Sequence, residues 1–242
     1  MQLVRHASRR HPPITFGHGG ASAHAPPGSL EAFELAVMLG AAGVSARVQR
    51  TADGEIVLSD AGALGRWPRR RRISETSLAD LPGLVRLADV LAITDAETVI
   101  GLTVTDVTEA EGAVEVMRTA GDLGRLWLSH DDHRELAGWR ERWPEVVLVH
   151  RGRIGALDGG PERHASRLAE AGVGGLSMPA ADWTGGLTTL VHRFDLDAVA
   201  TDARVERVFV DLVRMGIDAV HSGHVELLVD VVARDGAPGD VA

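Results

Sequence analysis

The sequence contains no cysteine and no tyrosine among its 242 residues. Without cysteine the chain can form neither disulfides nor thiolate metal sites, and its composition fits a reducing compartment. It also lacks any run of about 18 apolar residues that could cross a membrane, and residues 1–15 lack the apolar core of a signal peptide. We therefore expect a cytoplasmic protein without stable insertion into a membrane.

An excess of positive charge is lacking as well, because the formal net charge is -9 at pH 7. A general nucleic-acid-binding protein neutralises phosphates with a net basic face. We therefore expect no nucleic-acid partner. The local exception is Arg69 to Arg72, four consecutive arginines that follow Trp67 and Pro68 in a predicted surface loop. This run is either an ordinary solvated loop or a patch that attracts a polyanion such as phospholipid headgroups.

Length and hydrophobicity favour one large core, since 45% of the residues are hydrophobic and α/β barrels of about 250 residues commonly form one domain. Short β-branched or apolar runs alternate with helical patterns along the whole chain. The predicted strands are residues 15–18, 43–50, 99–104, 125–129, 146–150, 175–178, 198–201 and 217–222. We predict an α/β fold, a single-domain (β/α)8 TIM barrel over residues 1–242, with tails at 1–13 and 236–242.

Two local signals add detail to this barrel. Asp53 and Gly54 lie between two extended runs, and an Asp-Gly pair in that position favours a hairpin. The pair predicts a small accessory hairpin after the second barrel strand. Ser29 precedes an apolar pattern of helical spacing formed by Leu30, Phe33 and Val37, so we predict that Ser29 caps the first helix.

Four stretches carry a more specific pattern. They are HGGASAHAPPGSLEAF from His18, GAAGVSARVQRTADGEIVLSD from Gly40, LPGLVRLADVLAI from Leu81 and GIDAVHSGHVELL from Gly216. They resemble the glycerophosphodiester phosphodiesterase family, whose members carry His-Arg-Gly, Glu-Asn-Thr-Leu-Glu-Ala-Phe and Gly-Ala-Asp-Gly-Ile-Glu-Leu-Asp-Val in the first two stretches. The resemblance extends from about residue 14 to about residue 230. It implies a TIM barrel and a phosphoric diester hydrolase of lipid metabolism.

The resemblance also implies a catalytic apparatus that this chain has largely replaced. Family members hold Ca²⁺ or Mg²⁺ with two carboxylates on the second strand and a third on the next strand, and they use two histidines as acid and base. The residues at the carboxylate positions are Ser45, Arg47 and Thr103, and the position of the second histidine is taken by Ser59. Of the three carboxylate positions and the two histidine positions, only the first histidine position keeps the family residue, which is His18.

These replacements argue against a metal at this site. Hard cations require anionic or carbonyl oxygens, which the side chains of Ser45 and Thr103 do not supply. Arg47 adds a fixed positive charge where the ion is expected. We therefore predict no metal and no other cofactor. Because a guanidinium suits phosphate bidentately, we hypothesise that Arg47 binds an anionic ligand with the help of His18. The ligand-binding set is then Arg47, Ser45, Ser59 and Thr103, with His18 as the retained catalytic position.

Alternative roles for these and other polar residues stay open at this stage. Arg47 could instead pair with Asp60 or Asp202. Other polar residues lie at predicted strand ends. They could form a relocated metal site, because histidine and aspartate are competent zinc or manganese ligands. These residues are His130, Asp131, Asp132, His150 with Arg151, Asp202, His221 and His224. The run from His130 to His133 most simply begins a helix with acidic residues in its first turn.

Three functions are compatible with the sequence. The favoured one is a catalytically impaired or inactive barrel that binds a small phosphate or phosphodiester at its mouth. The second is an active phosphoric diester hydrolase that uses a metal-independent route, with Arg47 as the electrophile and His18 as acid or base. The third is a structural or homo-oligomeric protein with a vestigial site. Fold alone does not choose between them, because function is determined by the site.

Overall fold

Eight parallel strands close into a barrel in the computed structural model, which describes residues 6–65, 70–121 and 123–236. The barrel strands are β1 (Ile14–His18), β2 (Gly43–Arg50), β7 (Val99–Thr103), β8 (Leu126–His130), β9 (Val147–Arg151), β10 (Gly175–Pro179), β11 (Asp197–Thr201) and β12 (Ala219–Ser222). The barrel is closed because β1 pairs with β2 on one side and with β12 on the other. The predicted TIM barrel is confirmed, and every predicted strand is present with its ends displaced by no more than two residues.

Helices follow the barrel strands and form the outer layer. They are α1 (Leu30–Met38), α2 (Leu87–Ile93), α3 (Val107–Thr119), α4 (His133–Arg142), α5 (Pro161–Glu170), α6 (Gly185–His192), α7 (Glu206–Arg214) and α8 (Val225–Asp235). The predicted cap of α1 is confirmed, since the Ser29 hydroxyl accepts a hydrogen bond of 3.1 Å from the Ala32 amide. The helix predicted to begin in the run from His130 to His133 is present, but it starts at His133, so Asp131 and Asp132 precede its first turn. The Asp132 carboxylate caps this helix by accepting from the Arg134 amide. Among the described residues, no helix combines the length and apolar character needed to cross a bilayer.

The predicted accessory hairpin is present and is extended by one more strand. β3 (Ile56–Leu58) pairs antiparallel with β2, and β6 (Val85–Arg86) pairs antiparallel with β3. Gly54 in the connecting turn has φ +87°, a conformation that favours glycine. Asp53 accepts hydrogen bonds from the hydroxyls of Thr51 and Ser77, and these bonds lower the pKa of Asp53 to about 2.

The arginine run differs in part from its prediction. Arg71 and Arg72 form a short strand, β5, that pairs antiparallel with β4 (Ala63–Leu64), so they are not in an open loop. Both arginines also make local side-chain contacts: the Arg71 guanidinium donates to the Asp80 carbonyl, and the Arg72 guanidinium lies 3.0 Å from Glu75. Both arginines remain exposed. Trp67, Pro68 and Arg69 lie outside the described residues.

Apolar packing occupies two layers. Inside the barrel a cluster of buried side chains fills the lower part, formed by Ile14, Phe16, Trp127, Val149, Val199 and Ala219. A larger core lies between the strands and the helices and contains Val44, Ala46 and Val48 of β2. Four tryptophans are buried in this packing: Trp127, Trp139, Trp143 and Trp183. Trp183 also donates a hydrogen bond of 3.0 Å to the Val199 carbonyl.

The segment before β1 packs against the N-terminal end of the barrel. Ser8 and the Arg9 amide donate to the fully buried Asp218 carboxylate, and Arg10 forms an ion pair of 2.7 Å with Asp197. Residues 8–10 thus satisfy two buried carboxylates at the end of the barrel opposite its mouth. Of the two predicted tails, residues 1–5 and 237–242 lie outside the described residues.

Candidate functional site

The mouth of the barrel, where the strands end, gathers most of the polar residues singled out in the sequence. Side chains alternate along β2, so Ser45 and Arg47 face the barrel interior while Val44, Ala46 and Val48 pack outward against helices. The parallel register places His18 beside Ser45 and places Arg47 beside Thr103. The residues at the family's first histidine and three carboxylate positions are therefore neighbours on adjacent strands.

Ser45 is the centre of the hydrogen-bonding network in the mouth. Its hydroxyl oxygen lies 3.2 Å from Nδ1 of His18 and 2.8 Å from Nδ1 of His221, while only 3% of the residue is exposed. His221 projects from β12 and stacks on the Phe16 ring, with centroids 4.4 Å apart. Because Ser45 is buried and already bonded to two rings, it organises the mouth from below.

Charges of both signs surround His18, whose side chain is exposed at the rim. Enclosure by the surrounding protein lowers the pKa of His18. Asp60 and Asp202 oppose this shift, whereas Arg151 and Arg47 reinforce it. Burial also lowers the pKa of His221 to about 3. Both imidazoles are therefore neutral around pH 7.

Arg47 is available for a ligand as far as the described residues show. Its side chain is half-buried, and within residues 6–65, 70–121 and 123–236 it makes no hydrogen bond or ion pair. Arg47 therefore forms no ion pair with Asp60 or Asp202, which was the alternative predicted from the sequence. Burial raises the pKa of Glu109. The positive charge of Arg47 opposes this shift but does not reverse it. Glu109 itself accepts from both the amide and the hydroxyl of Thr105.

Ser59 and Thr103 occupy less central places. The Ser59 hydroxyl donates to the Ala61 carbonyl at 3.0 Å and accepts from the Ala61 amide, which closes a tight turn after β3. Ser59 lines a cavity of about 340 Å³ beside the mouth, together with Pro26, Pro27 and Asp60. Thr103 ends β7 next to Arg47.

A second cavity, of about 220 Å³, is lined by His221, which the sequence did not identify as part of the ligand-binding set. His18 and His221 line it with Asp202 and Arg204. From the sequence, His221 and Arg151 were predicted only as polar residues at strand ends, with His221 a candidate ligand of a relocated metal site. The available signal was alternation, since His221 follows interior Ala219 by two residues and Arg151 follows interior Val149 by two.

A divalent metal does not fit the residues of this mouth. The positions on β2 and β7 supply two hydroxyls and a guanidinium, and none of these is an anionic oxygen. Across the described residues, no three histidine, aspartate or glutamate side chains are placed to hold a metal ion. The cluster of His133, His150 and His164 does not meet this requirement either, although its ring centroids lie 4.9 to 5.6 Å apart in the layer outside β9.

No protein-family model and no curated protein matches the chain, but solved structures match its fold. A Silicibacter pomeroyi protein provisionally assigned as a glycerophosphoryl diester phosphodiesterase has a TM-score of 0.84 at 15% identity, covering 98% of this chain and 97% of its own. A glycerophosphodiester phosphodiesterase from Thermotoga maritima has a TM-score of 0.79 at 21% identity, with coverages of 92% and 100%. An Oleispira antarctica phosphodiesterase, solved with its product sn-glycerol-3-phosphate, has a TM-score of 0.79 at 18% identity, with coverages of 91% and 97%.

The chain is therefore a TIM barrel of the type found in these phosphodiesterases. The resemblance read from the four sequence stretches agrees with them at the level of the fold.

Proposed function

We propose that the mouth of this barrel binds a small phosphate or phosphodiester and that the chain is impaired or inactive as a phosphodiesterase. The observation that carries the proposal is the Arg47 guanidinium, which faces the interior beside Thr103 and has no ion-pair partner among the described residues. A guanidinium offers a planar fork of donors that matches two phosphate oxygens.

The surroundings of Arg47 support an anionic ligand. Its charge and that of Arg151 both reach His18. Arg151 is only loosely paired, with 3.3 Å between its Nη1 and an oxygen of the exposed Asp131. Two arginines and an exposed imidazole thus face one opening, against the carboxylates of Asp60 and Asp202 at its edge.

Impaired hydrolysis follows from the missing groups. In a proton-transfer step one general acid or base contributes roughly 10² to 10⁴ in rate, and a metal contributes several kcal/mol of charge stabilisation. Ser59 cannot replace the second histidine as a general acid or base, because a serine hydroxyl does not titrate near neutral pH. Its hydroxyl is also held in a turn. The lowered pKa of His221 and its burial beneath the rim keep it from taking the place of that second acid or base.

The second candidate is metal-independent hydrolysis, with Arg47 stabilising the developing charge and His18 as acid or base. The exposed position of His18 near Arg47 favours this candidate over a purely structural protein with a vestigial mouth. A structural or oligomeric role predicts that the mouth binds no phosphate at all.

Calorimetric titration with inorganic phosphate and sn-glycerol 3-phosphate tests the binding proposal. Arg47→Gln should weaken binding roughly tenfold or more, because a hydrogen bond to a charged group contributes about 1.5 to 3 kcal/mol. Arg207→Gln is the matched control, since Arg207 lies on α7 with a side chain that is 92% exposed. Equal affinity in the native protein and Arg47→Gln, or no binding in either, contradicts the proposal.

Turnover separates impaired hydrolysis from the metal-independent route. Glycerophosphodiesters and a chromogenic phosphodiester are incubated with the protein, with and without Ca²⁺, Mg²⁺ and Mn²⁺. We expect no metal-dependent product. Slow metal-independent turnover that is lost in His18→Gln and Arg47→Gln supports the second candidate, whereas metal-dependent turnover overturns both.

A further inference from the structure

Two histidine rings in the mouth share a single hydroxyl group. Nδ1 of His18 and Nδ1 of His221 both lie within hydrogen-bond distance of the Ser45 oxygen. A serine hydroxyl has one proton to donate, and a neutral imidazole has one N–H. Ser45 can therefore donate to at most one of the two Nδ1 atoms, so at least one Nδ1 must carry its own proton and donate to Ser45. The tautomers of the two histidines are coupled.

The two distances indicate the direction of this chain of hydrogen bonds. Bonds donated by hydroxyls are shorter, commonly about 2.7 to 2.8 Å, than bonds donated by N–H groups, commonly about 2.9 to 3.0 Å. The contact of 2.8 Å to His221 fits Ser45 as its donor, and the contact of 3.2 Å fits His18 donating to Ser45. His221 then accepts at Nδ1 and carries its proton on Nε2.

Packing keeps His221 in the orientation that this arrangement needs. Its ring stacks on Phe16 at an interplanar angle of 13°. Gly101 on β7 leaves space for both rings, because a Cβ atom there would lie 3.1 Å from the edge of Phe16 and 3.5 Å from Cε1 of His221. The acceptor nitrogen is thus fixed beneath Ser45 by the barrel interior.

We propose that Ser45 and His221 are positioning residues that hold His18 as the neutral tautomer protonated on Nδ1, so that an unprotonated Nε2 faces the mouth. The orientation of the His18 ring places Nε2 at the mouth. His18 turns Nδ1 inward to Ser45 and is exposed at the rim, so Nε2 on the opposite edge points to the opening.

This tautomer selects among anions, an extension that rests on the proposed phosphate binding. An unprotonated Nε2 accepts a hydrogen bond, whereas the oxygens of a fully ionised anion have none to donate. The preferred ligand class is therefore a phosphate that still carries a P–OH group, such as hydrogenphosphate or a protonated phosphate monoester. Sulfate has the charge and shape of hydrogenphosphate but no proton, so it is the matched discriminating probe.

Nitrogen-15 NMR of the histidine rings in the ligand-free protein tests the tautomer directly. Spectra are recorded at about pH 8, above the ordinary histidine pKa of about 6.5. We expect native His18 to be protonated on Nδ1. In His221→Phe, which keeps a ring on Phe16, the freed Ser45 hydroxyl should donate to His18 and move its proton to Nε2. Ser45→Ala should give a mixture of both forms, and the control His224→Gln should change nothing.

The outcomes separate the inference from the proposed function. Native His18 protonated on Nε2, or an Nδ1 form unchanged in both Ser45→Ala and His221→Phe, overturns the positioning role even if phosphate binds. Should His221→Phe fail to fold, judged by circular dichroism, Ser45→Ala decides alone.

Titration at about pH 8 then compares hydrogenphosphate with sulfate. We expect native protein to prefer hydrogenphosphate by about tenfold, as one hydrogen bond between polar partners contributes about 0.5 to 1.5 kcal/mol and an unpaired acceptor costs more. Ser45→Ala and His221→Phe should lose most of this preference. Equal binding of the two anions by the native protein overturns the ligand class, while binding of neither anion overturns the proposed function and leaves the NMR result to judge the tautomer.

Discussion

Single residues outside the mouth also have environments that determine measurable properties. His150 is 6% exposed and His164 is 2% exposed. Among the described residues, Nδ1 of His150 and both ring nitrogens of His164 have no hydrogen-bond partner. Burial lowers the pKa of His150 to about 4, with His164 and His133 adding to the shift and Asp131 opposing it. Burial also lowers the pKa of His164, so the core disfavours the charged form of both rings.

Acid should therefore destabilise the protein through His150. The pKa of His150 in the folded protein lies below its unfolded value of about 6.5. Between pH 6.5 and 4 the imidazole of His150 is therefore protonated in the unfolded chain and neutral in the native state. Stability falls as the pH decreases through this window, by about 3 kcal/mol at most for this residue. His150→Leu should reduce that loss in urea unfolding measured at pH 7 and pH 4. An unchanged difference between the two pH values contradicts this account.

The exposed His24 offers the comparison for that measurement. Its Nε2 lies 2.9 Å from Glu226 at the surface. His24→Leu should leave the acid sensitivity attributed to His150 intact, because it removes no imidazole from the core.

At the scale of elements, local sequence signals predicted what local forces determine. The β2–β3 hairpin was predictable because Asp53 and Gly54 define its turn, and α1 because Ser29 supplies the cap. The two-residue strands β4, β5 and β6 were missed. They carry no periodic pattern of their own, and each is defined by its pairing with another strand: β4 with β5, and β6 with β3.

The cap of α1 has a measurable energetic contribution. This helix starts at the cavity of about 340 Å³ that Ser29 lines, and Ser29 satisfies one of its free amides. Ser29→Ala should lower the free energy of unfolding by about 1 kcal/mol, which urea denaturation at pH 7 can resolve. Ser166→Ala in α5, whose hydroxyl reaches only the exposed Glu170, is the control and should change stability by less than about 0.5 kcal/mol. Equal effects of the two substitutions would show that the cap contributes nothing special.

At the scale of the whole molecule, barrel closure decides which residues meet. Ser45 and His221 are 176 positions apart in sequence, and they meet because β1 pairs with both β2 and β12. The sequence placed His18, Ser45, Arg47 and Thr103 together through strand order and resemblance. It did not identify the partner of Ser45, because the stagger across eight strands, which no local pattern encodes, determines which rung of β12 faces β2.

The end of the barrel opposite the mouth depends on the segment before β1. Arg10 donates to Asp197 through Nε at 3.0 Å and Nη2 at 2.7 Å, and its guanidinium lies 4.8 Å from the centre of the Trp127 ring. Asp197 is 5% exposed. Removing Arg10 therefore leaves a largely buried carboxylate whose remaining ion pair among the described residues is the longer contact of 3.5 Å to Arg9.

Arg10→Met keeps an apolar stem over Trp127 and removes the charge. It should lower the free energy of unfolding by about 2 kcal/mol, less than the 3 to 5 kcal/mol of a fully buried pair, because the Arg10 side chain is 37% exposed. Arg207→Met on the surface of α7 should stay within about 0.5 kcal/mol of the native protein. Phosphate affinity should be the same in both variants, since the substitution lies at the far end of the barrel. A loss of phosphate binding in a folded Arg10→Met protein contradicts this separation of the stabilising end from the binding end.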